Sequence, residues 1–578
     1  MTARAALTFA CIALSACGSS GCGGSGTQPP DMTPDAPGPG GPVPFGTSDP
    51  SPRLMFTQVA ATVGIDRANE PASAASVPTN SSAGSYAYGA WLADVDGDGK
   101  LDYYAVNHGQ WPHTSGLFLN NGSGGFSKNL YTVAFEQSNR NWDQMGLTNE
   151  MRFVGDFNGD GMVDYFFQCW SGLGGLCINQ GVSHNGDWTG PAYDCYVTSD
   201  GLAFADVNGD GKIDVLTFDQ STFDTYPYYY AMTGPFFWRL NNGSPDIGTW
   251  PTTSDFLSLR VVDRAQVAPP FIDLNNDGIP DKIVGNDAAD HGPYDTIVAG
   301  YNVFLGQSNG TYAMLPTSGL DDATAPITRI DDVNADGCLD LGMDQTAYRD
   351  NADWWVQNKT GARCNGTFHH VARTDLPYFP GFKHYAVDID NSGRLSQVII
   401  NHIGYSHGDG KPLGVNIYLK GADGAFTAIG PSAIGVDITG TGITEFYADN
   451  LSPGDWNEDG RIDLAGSGDF GLAGSDMGFS LWTSSLTTTN SWIKLTLPTV
   501  TGFFTGSATI EVFDTGGAGD PAHLVTPPKV LYTGNAWSSQ VYHFGIGMRS
   551  TVDVRVTFPD GRQTVRTVAA ASRTAIMP

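Results

Sequence analysis

Seven times along the chain, a nine-residue stretch sets oxygen-bearing side chains at positions 1, 3, 5 and 9 around a glycine at position 6. Such spacing suits a hard, oxygen-seeking cation, because Ca2+ takes about six to eight oxygens and a loop can wrap it only through a sharp backbone turn. The first copy supplies Asp94, Asp96, Asp98 and Asp102, with the backbone carbonyl of Lys100 at position 7. Asp156, Asn158, Asp160, Met162 and Asp164 form the second, and Asp206, Asn208, Asp210, Lys212 and Asp214 the third. The fourth is Asp273, Asn275, Asp277, Ile279 and Asp281, and the fifth Asp332, Asn334, Asp336, Cys338 and Asp340. The sixth keeps only two carboxylates, Asp388 and Asp390, with Ser392 and Ser396 in place of the others, so weak or no cation affinity is expected there. The seventh is intact: Asp455, Asn457, Asp459, Arg461 and Asp463. At position 7 only the carbonyl is required, so the side chain is free to vary.

An EF-hand or dockerin loop shares this opening but needs a carboxylate at position 12 and flanking helices. Position 12 holds Ala105, Phe167, Thr217, Val284, Met343, Ile399 and Gly466, and the flanks are short, aromatic and β-branched, as strands are. Successive loops begin 62, 50, 67, 59, 56 and 67 residues apart, a period of one small sheet each. A hydrophobic run follows each loop, such as Leu101 to Val106 or Ile213 to Phe218, and then a second strand and a polar turn, as in Leu117 to Gly122. The spacing therefore predicts about four antiparallel strands per repeat. A sheet of that size cannot bury both faces alone, so seven are expected to pack radially as the blades of a β-propeller. The stretch Asp437 to Glu445 mimics the spacing with threonines at positions 3 and 5, but it begins only 18 residues before Asp455 and is set aside.

Asp-x-Asn-Gly-Asp-Gly-x-x-Asp followed by a hydrophobic strand resembles the FG-GAP-like, or VCBS-type, repeats of the integrin α-chain propeller family. The resemblance implies an all-β, seven-bladed calcium-binding β-propeller. Arg53 to Ile65, with Phe56-Thr57-Gln58-Val59, resembles the strand that ends a blade, and is expected to pair with the last sheet. A second resemblance covers roughly residues 489–578. It rests on Trp492-Ile493-Lys494-Leu495, on Gly534 to Gly547, and on Val552 to Gly561, and is similar to the ASPIC/UnbV domain that follows VCBS-type repeats in cartilage acidic protein and its bacterial relatives. Phe558 stands where that family usually has Trp, and Thr505-Gly506-Ser507-Ala508 replaces its Gly-x-Gly-Ala stretch. A small C-terminal β-sandwich packed on the propeller is implied.

The N-terminus reads as an export signal. Arg4 precedes the apolar run Ala5 to Ala16, and Leu14-Ser15-Ala16-Cys17 resembles a bacterial lipobox, which implies a diacylated Cys17. That run is too short to span a bilayer. Residues 18–52 are rich in Gly, Ser, Pro and Thr and cannot form a core. The expected organisation is a signal peptide over 1–16, a tether over 17–52, a propeller over 53–488 and the β-sandwich over 489–578. The missing acidic retention residue after Cys17 favours the outer membrane or cell surface.

A formal net charge of −31 argues against nucleic acid as a partner. Six doubly charged ions would offset 12 of those charges and leave the surface acidic. Of the eight cysteines, Cys338 and Cys364 fall in one repeat, and Cys169 with Cys177 or Cys195 in another, so local disulfides are expected outside the cell. No Cys-x-x-Cys, Gly-x-Ser-x-Gly, His-Glu-x-x-His, P-loop or dinucleotide fingerprint occurs. The pairs His108/His113 and His402/His407 read as polar loop residues, and the aromatic stretch Phe223 to Trp238 as a blade edge. The sequence thus points to a non-enzymatic adhesion or binding lipoprotein with a protein or glycan ligand, touching the membrane only through its lipid. The alternative is a calcium-dependent polysaccharide lyase or hydrolase on the same scaffold.

Overall fold

A computed structural model describes residues 52–576 with gaps, the larger being 66–85, 129–148, 178–202, 219–230, 286–299, 372–382, 402–413, 430–450, 468–478, 498–507 and 531–540. Among the described residues the regular structure is almost entirely strand, with two short 3-10 turns at Ala60–Val63 and Pro521–His523. The signal peptide, Cys17 and the tether lie outside the described residues, as do most of the second loop, Cys195, His113, His402, His407 and the core Gly534 to Gln540 of the ASPIC/UnbV resemblance.

Each acidic loop joins the first two strands of an antiparallel sheet. Position 9 is the first residue of the second strand in all seven copies: Asp102–His108, Asp164–Cys169, Asp214–Phe218, Asp281–Gly285, Asp340–Met343, Ser396–Asn401 and Asp463–Ser467. The residue before position 1 pairs with position 9 every time, from Ala93↔Asp102 and Gly155↔Asp164 to Val387↔Ser396 and Gly454↔Asp463. The loop is therefore one hairpin connection, repeated in register. In the first, fourth, fifth and sixth repeats two more strands complete a four-stranded sheet in sequence order; the second and third repeats show three-stranded sheets.

The last sheet takes its fourth strand from the N-terminal side. Phe56–Gln58 pairs antiparallel with Phe479–Ser484, Phe56 opposite Ser484, and Arg53 bridges Thr487. Behind it, Leu54 and Phe56 join Val387, Ile417, Leu464 and Trp482 in one apolar cluster that binds the sixth sheet to the seventh. A second cluster joins the seventh sheet to the first: Leu92, Tyr103 and Phe118 pack with Trp456, Ala465 and Leu481. Tyr103 is fully buried, with its hydroxyl donating to the Gly466 carbonyl at 2.9 Å, so burying the ring leaves no polar atom unsatisfied. Leu274, Val303, Leu341 and Trp355 hold the fourth sheet on the fifth, and Val333, Val356 and Ile399 the fifth on the sixth. Trp238, at the end of the aromatic stretch, is 1% exposed within its strand and is part of the packing.

The C-terminal residues make two sheets of their own. Val541–Gly547, Ser491–Thr496 and Ser572–Ala575 form one, the last pair parallel; Lys529–Val530, Thr509–Asp514, Thr551–Thr557 and Gln563–Ala569 form the other. Alternating apolar residues from both, including Ile493, Leu495, Ile510, Val512, Phe544, Val554 and Ile576, close on one core drawn wholly from residues 493–576.

Candidate metal-binding loops and the cavity they share with the C-terminal sheets

Within the described loops the side-chain oxygens first organise the backbone. The position 1 carboxylate spans the turn: Asp332 accepts from Asp336 N at 2.9 Å and Gly337 N at 2.7 Å, and Asp455 from Asp459 N and Gly460 N, both at 3.0 Å. Position 3 accepts from the N–H of position 5, as Asn208, Asn275, Asn334 and Asn457 all do. Position 5 accepts from the N–H of position 7, at Asp98, Asp210, Asp277, Asp336 and Asp459. These are successive Asx turns, and they bring the backbone into the left-handed region twice. Position 6 is there at Gly99, Gly337, Gly393 and Gly460, and position 4 at Asn276, Ala335, Asn391 and Glu458.

Position 9 has a separate task. Asp214, Asp281 and Asp340 are fully buried; in each, one oxygen accepts from the N–H of position 2 and the other from an N–H in, or just after, the third strand of the sheet. For Asp340 the donors are Val333 N and Gln357 N, both at 2.9 Å. The carboxylate thus staples the loop to the sheet. The sixth copy does the same with less: Asp388 still accepts from Ser392 N and Gly393 N at 2.8 Å, and the Ser396 hydroxyl takes over the strand contact from Lys420 N at 3.1 Å.

The same burial makes the carboxylates costly when no cation is near. Burial, then repulsion from Asp277, pushes Asp281 up to about 8, and burial, then Asp336, pushes Asp332 up to about 7. Asp340, Asp388 and Asp463 are raised well above the usual range, burial again leading. Position 5 is the outward member and meets basic side chains: Lys100 on Asp98, Lys212 on Asp210 at 3.8 Å, Lys359 on Asp336 at 3.7 Å and Arg461 on Asp459 at 2.6 Å. Among the described residues no three carboxylate, imidazole or thiolate groups gather closely enough to hold an ion by themselves. The donors fit a hard cation in kind: carboxylate, amide and carbonyl oxygens on a loop with an excess of buried negative charge.

The loops are also chained to one another and capped by the C-terminal sheets. Asn276 Nδ2 donates to the Gly337 carbonyl at 3.0 Å, Lys420 Nζ to Asn334 O and Ala335 O at 3.1 and 2.8 Å, Asn391 Nδ2 to Gly460 O at 2.8 Å, and Asn120 Nδ2 to Trp456 O at 2.8 Å. These contacts link the fourth loop to the fifth, the sixth to the seventh, and the seventh to the first sheet. From the C-terminal side, Asn490 Nδ2 reaches Asp390 O at 2.9 Å, Gly547 N reaches Asn391 O at 2.9 Å, and Arg573 bridges Glu458 and the Gly99 carbonyl. Lys494 enters the seventh loop directly: its ammonium lies 2.9 Å from Asp455 Oδ2, with both side chains almost wholly buried. The position 6 glycines permit this approach. A Cβ on Gly337 would strike Pro527, one on Gly393 the Val525 carbonyl, and one on Gly460 the Trp492 indole.

Between the caps and the loops lies a cavity of about 330 Å3, walled by Asp332, Asp388, Asp455, Lys494, Lys529 and His543 among apolar residues that include Phe544. Burial, then Lys494 and Lys529, lowers His543 to about 3, so the ring is neutral. It stacks on Trp492 with centroids 5.7 Å apart. Lys529 also lines the cavity, an exposed residue whose pKa is nevertheless lowered by desolvation.

Cys338, at position 7 of the fifth loop, forms a disulfide with Cys364 on the strand Arg363–Val371, Cα atoms 5.6 Å apart. Cys177 pairs in register with Tyr165 and Cys169 with Asn149. Sequence reasoning missed the position 4 asparagines, the position 9 staples and the residues through which the C-terminal sheets meet the loops. Only the first left a local signal, since Asn276 and Asn391 stand where three other copies have glycine and tolerate the left-handed backbone.

Residues 94–167, from the start of the first loop to the strand after the second, match the FG-GAP-like repeat family. The chain is therefore a repeat protein carrying an FG-GAP-like repeat. No curated protein matches it. Among solved structures, the V. cholerae biofilm matrix protein Bap1 aligns over 85% of this chain and 81% of its own, at 11% identity and a TM-score of 0.18, too low to bear on fold or function.

Proposed function

We propose that the chain is a calcium-stabilised binding module of the bacterial cell envelope, lipid-anchored through Cys17, whose seven sheets are the blades of a β-propeller that presents an exposed face to a protein or glycan. The C-terminal β-sandwich corresponds to an ASPIC/UnbV-like domain. The observation that carries the calcium reading is the set of buried loop carboxylates raised far above their ordinary range by burial and by one another. In each intact loop, positions 1, 3, 5 and 9 and the position 7 carbonyl would hold the ion. Bound calcium supplies a positive charge that relieves this repulsion and fixes the loop. A binding role is favoured over a catalytic one because the position 1 carboxylates in the fifth to seventh loops are engaged in holding their own turns.

The test is a thermal melt of the protein with metal removed and again with calcium, with bound metal counted by mass spectrometry. A calcium-specific rise in melting temperature with five to seven ions per chain supports the reading. A melt indifferent to calcium, with no ion bound, overturns it.

A further inference from the structure

Position 4 is not among the ligand positions, yet in three loops its side chain is directed to the same point on the loop that follows. Asn276, in the fourth loop, donates from Nδ2 to the carbonyl of Gly337, position 6 of the fifth, at 3.0 Å. Asn391, in the sixth, donates to the carbonyl of Gly460, position 6 of the seventh, at 2.8 Å. Glu458, in the seventh, holds Arg573 at 2.5 Å, and Arg573 donates in turn to the carbonyl of Gly99, position 6 of the first. The fifth loop has Ala335 at position 4, which offers no donor; there Lys420 of the sixth sheet donates back to the Asn334 and Ala335 carbonyls.

The carbonyl of position 6 and the N–H of position 7 belong to one planar peptide unit. Its N–H donates to the position 5 carboxylate: Cys338 N to Asp336 Oδ1 at 2.9 Å, Arg461 N to Asp459 Oδ1 at 3.0 Å and Lys100 N to Asp98 Oδ1 at 2.8 Å. A side chain from the preceding loop therefore holds one end of a plane whose other end aims a ligand. Position 4 itself lies between the ligands at positions 3 and 5, so an ion that orders its own loop also orders the donor. Taking the loops as calcium sites, as above, we propose that Asn276, Asn391 and Glu458 are positioning residues for the site of the next loop. The fourth and fifth sites, and the seventh and first, then fill cooperatively. Linkage makes the effect mutual: the factor by which an ion in the fourth loop tightens the fifth is returned by the fifth to the fourth. The sixth loop is short of carboxylates, but Asp388 already closes its turn onto Ser392 N and Gly393 N, so Asn391 aligns the seventh loop without an ion of its own.

Calorimetric titration of the full chain with calcium, with bound ions counted by mass spectrometry, tests the assignment. Asn276→Gly removes the donor and keeps the left-handed backbone, using the residue that Gly97, Gly159 and Gly209 already place at position 4 of the first three loops. The variant should bind as many ions as the unmutated protein, one of them about two- to tenfold more weakly, the worth of a single hydrogen bond. Asp336→Asn removes a carboxylate of the fifth loop and with it that ion; in this background Asn276→Gly should change no remaining affinity. The unmutated protein, which needs no variant to fold, should give a cooperative isotherm. Unchanged affinities in Asn276→Gly, a weakening that survives Asp336→Asn, or independent sites in the unmutated protein would each overturn the proposal and leave the calcium reading standing. No bound calcium in the unmutated protein would overturn both.

Discussion

Gly460→Ala isolates the contact between the loops and the C-terminal sheets. Gly460 has φ +85°, and a Cβ there would lie 1.8 Å from Trp492 Nε1 and 2.2 Å from Cε2. Gly424, in the turn between Gly414–Lys420 and Phe426–Ile429, has nearly the same φ, +80°, with open space where its Cβ would go. Any L residue at either site bears the left-handed backbone cost, about 1–2 kcal/mol. Only at Gly460 must the indole also move, off its stack on His543 and out of the docked position, which adds about 1–3 kcal/mol by analogy with overpacked cores. Gly424→Ala should therefore destabilise by about 1–2 kcal/mol and Gly460→Ala by about 2–5 kcal/mol. Urea unfolding followed by tryptophan fluorescence, compared at constant m, measures both. The excess at Gly460 should vanish in the Trp492→Ala background, since the coupling belongs to that pair. Equal costs for the two alanines, or an excess that survives removal of the indole, would refute a docking role for the position 6 glycine.

Asp340→Ala leaves the N–H groups of Val333 and Gln357 without acceptors and should cost about 2–6 kcal/mol even in metal-free protein, whereas Asp336→Ala frees the N–H of Cys338 and breaks a partly exposed ion pair with Lys359, and should cost about 1 kcal/mol. Equal urea midpoints for the two variants would contradict the staple. In metal-free protein Asp281 and Asp332 are raised to about 8 and about 7, against about 3.9 in an unfolded chain, so the folded state binds protons more tightly. Its stability should then fall as pH rises from about 4 to about 8, giving a lower melting temperature at pH 8 than at pH 5, and calcium should flatten the trend. A metal-free melting temperature that climbs across that range would count against buried, unneutralised carboxylates. Cys338→Ser opens a covalent loop spanning a sequence separation of 26 and should lose about 3 kcal/mol, read as a lower urea midpoint than that of the unmutated protein.

The loops were legible because their chemistry is local: each is built from nine consecutive residues, and position 9 opening a strand follows from the hydrophobic run after it. The strand at Phe56–Gln58 was anticipated from its resemblance to the strand that ends a blade in FG-GAP-like repeats, and the structure pairs it with Phe479–Ser484. What escaped the sequence is what joins distant positions. Nothing near Lys494 announces Asp455, 39 residues earlier, and nothing near His543 announces Asn391, 152 residues earlier. Position 9 was read only as a cation ligand because a carboxylate at a loop end looks the same whether it awaits a metal or two backbone N–H groups. Burial distinguishes them, and burial is set by the next strand.

The position 6 glycine shows how one sequence constraint came to serve two physical ones. The turn needs a left-handed residue there, which glycine meets at least cost, although position 4 meets the same need with Asn, Ala or Glu. The difference between the two positions lies in what comes near. At position 6 the C-terminal sheets press Pro527, Val525, Trp492 and Arg573 to within a Cβ radius of four separate loops. Position 4 instead projects a side chain toward its neighbours, as Asn391 does toward His543 and Glu458 toward Arg573. Glycine at position 6 is thus required by the docked sheets as well as by the turn, so a repeat freed of the cap should tolerate Asn at position 6 where a capped one cannot.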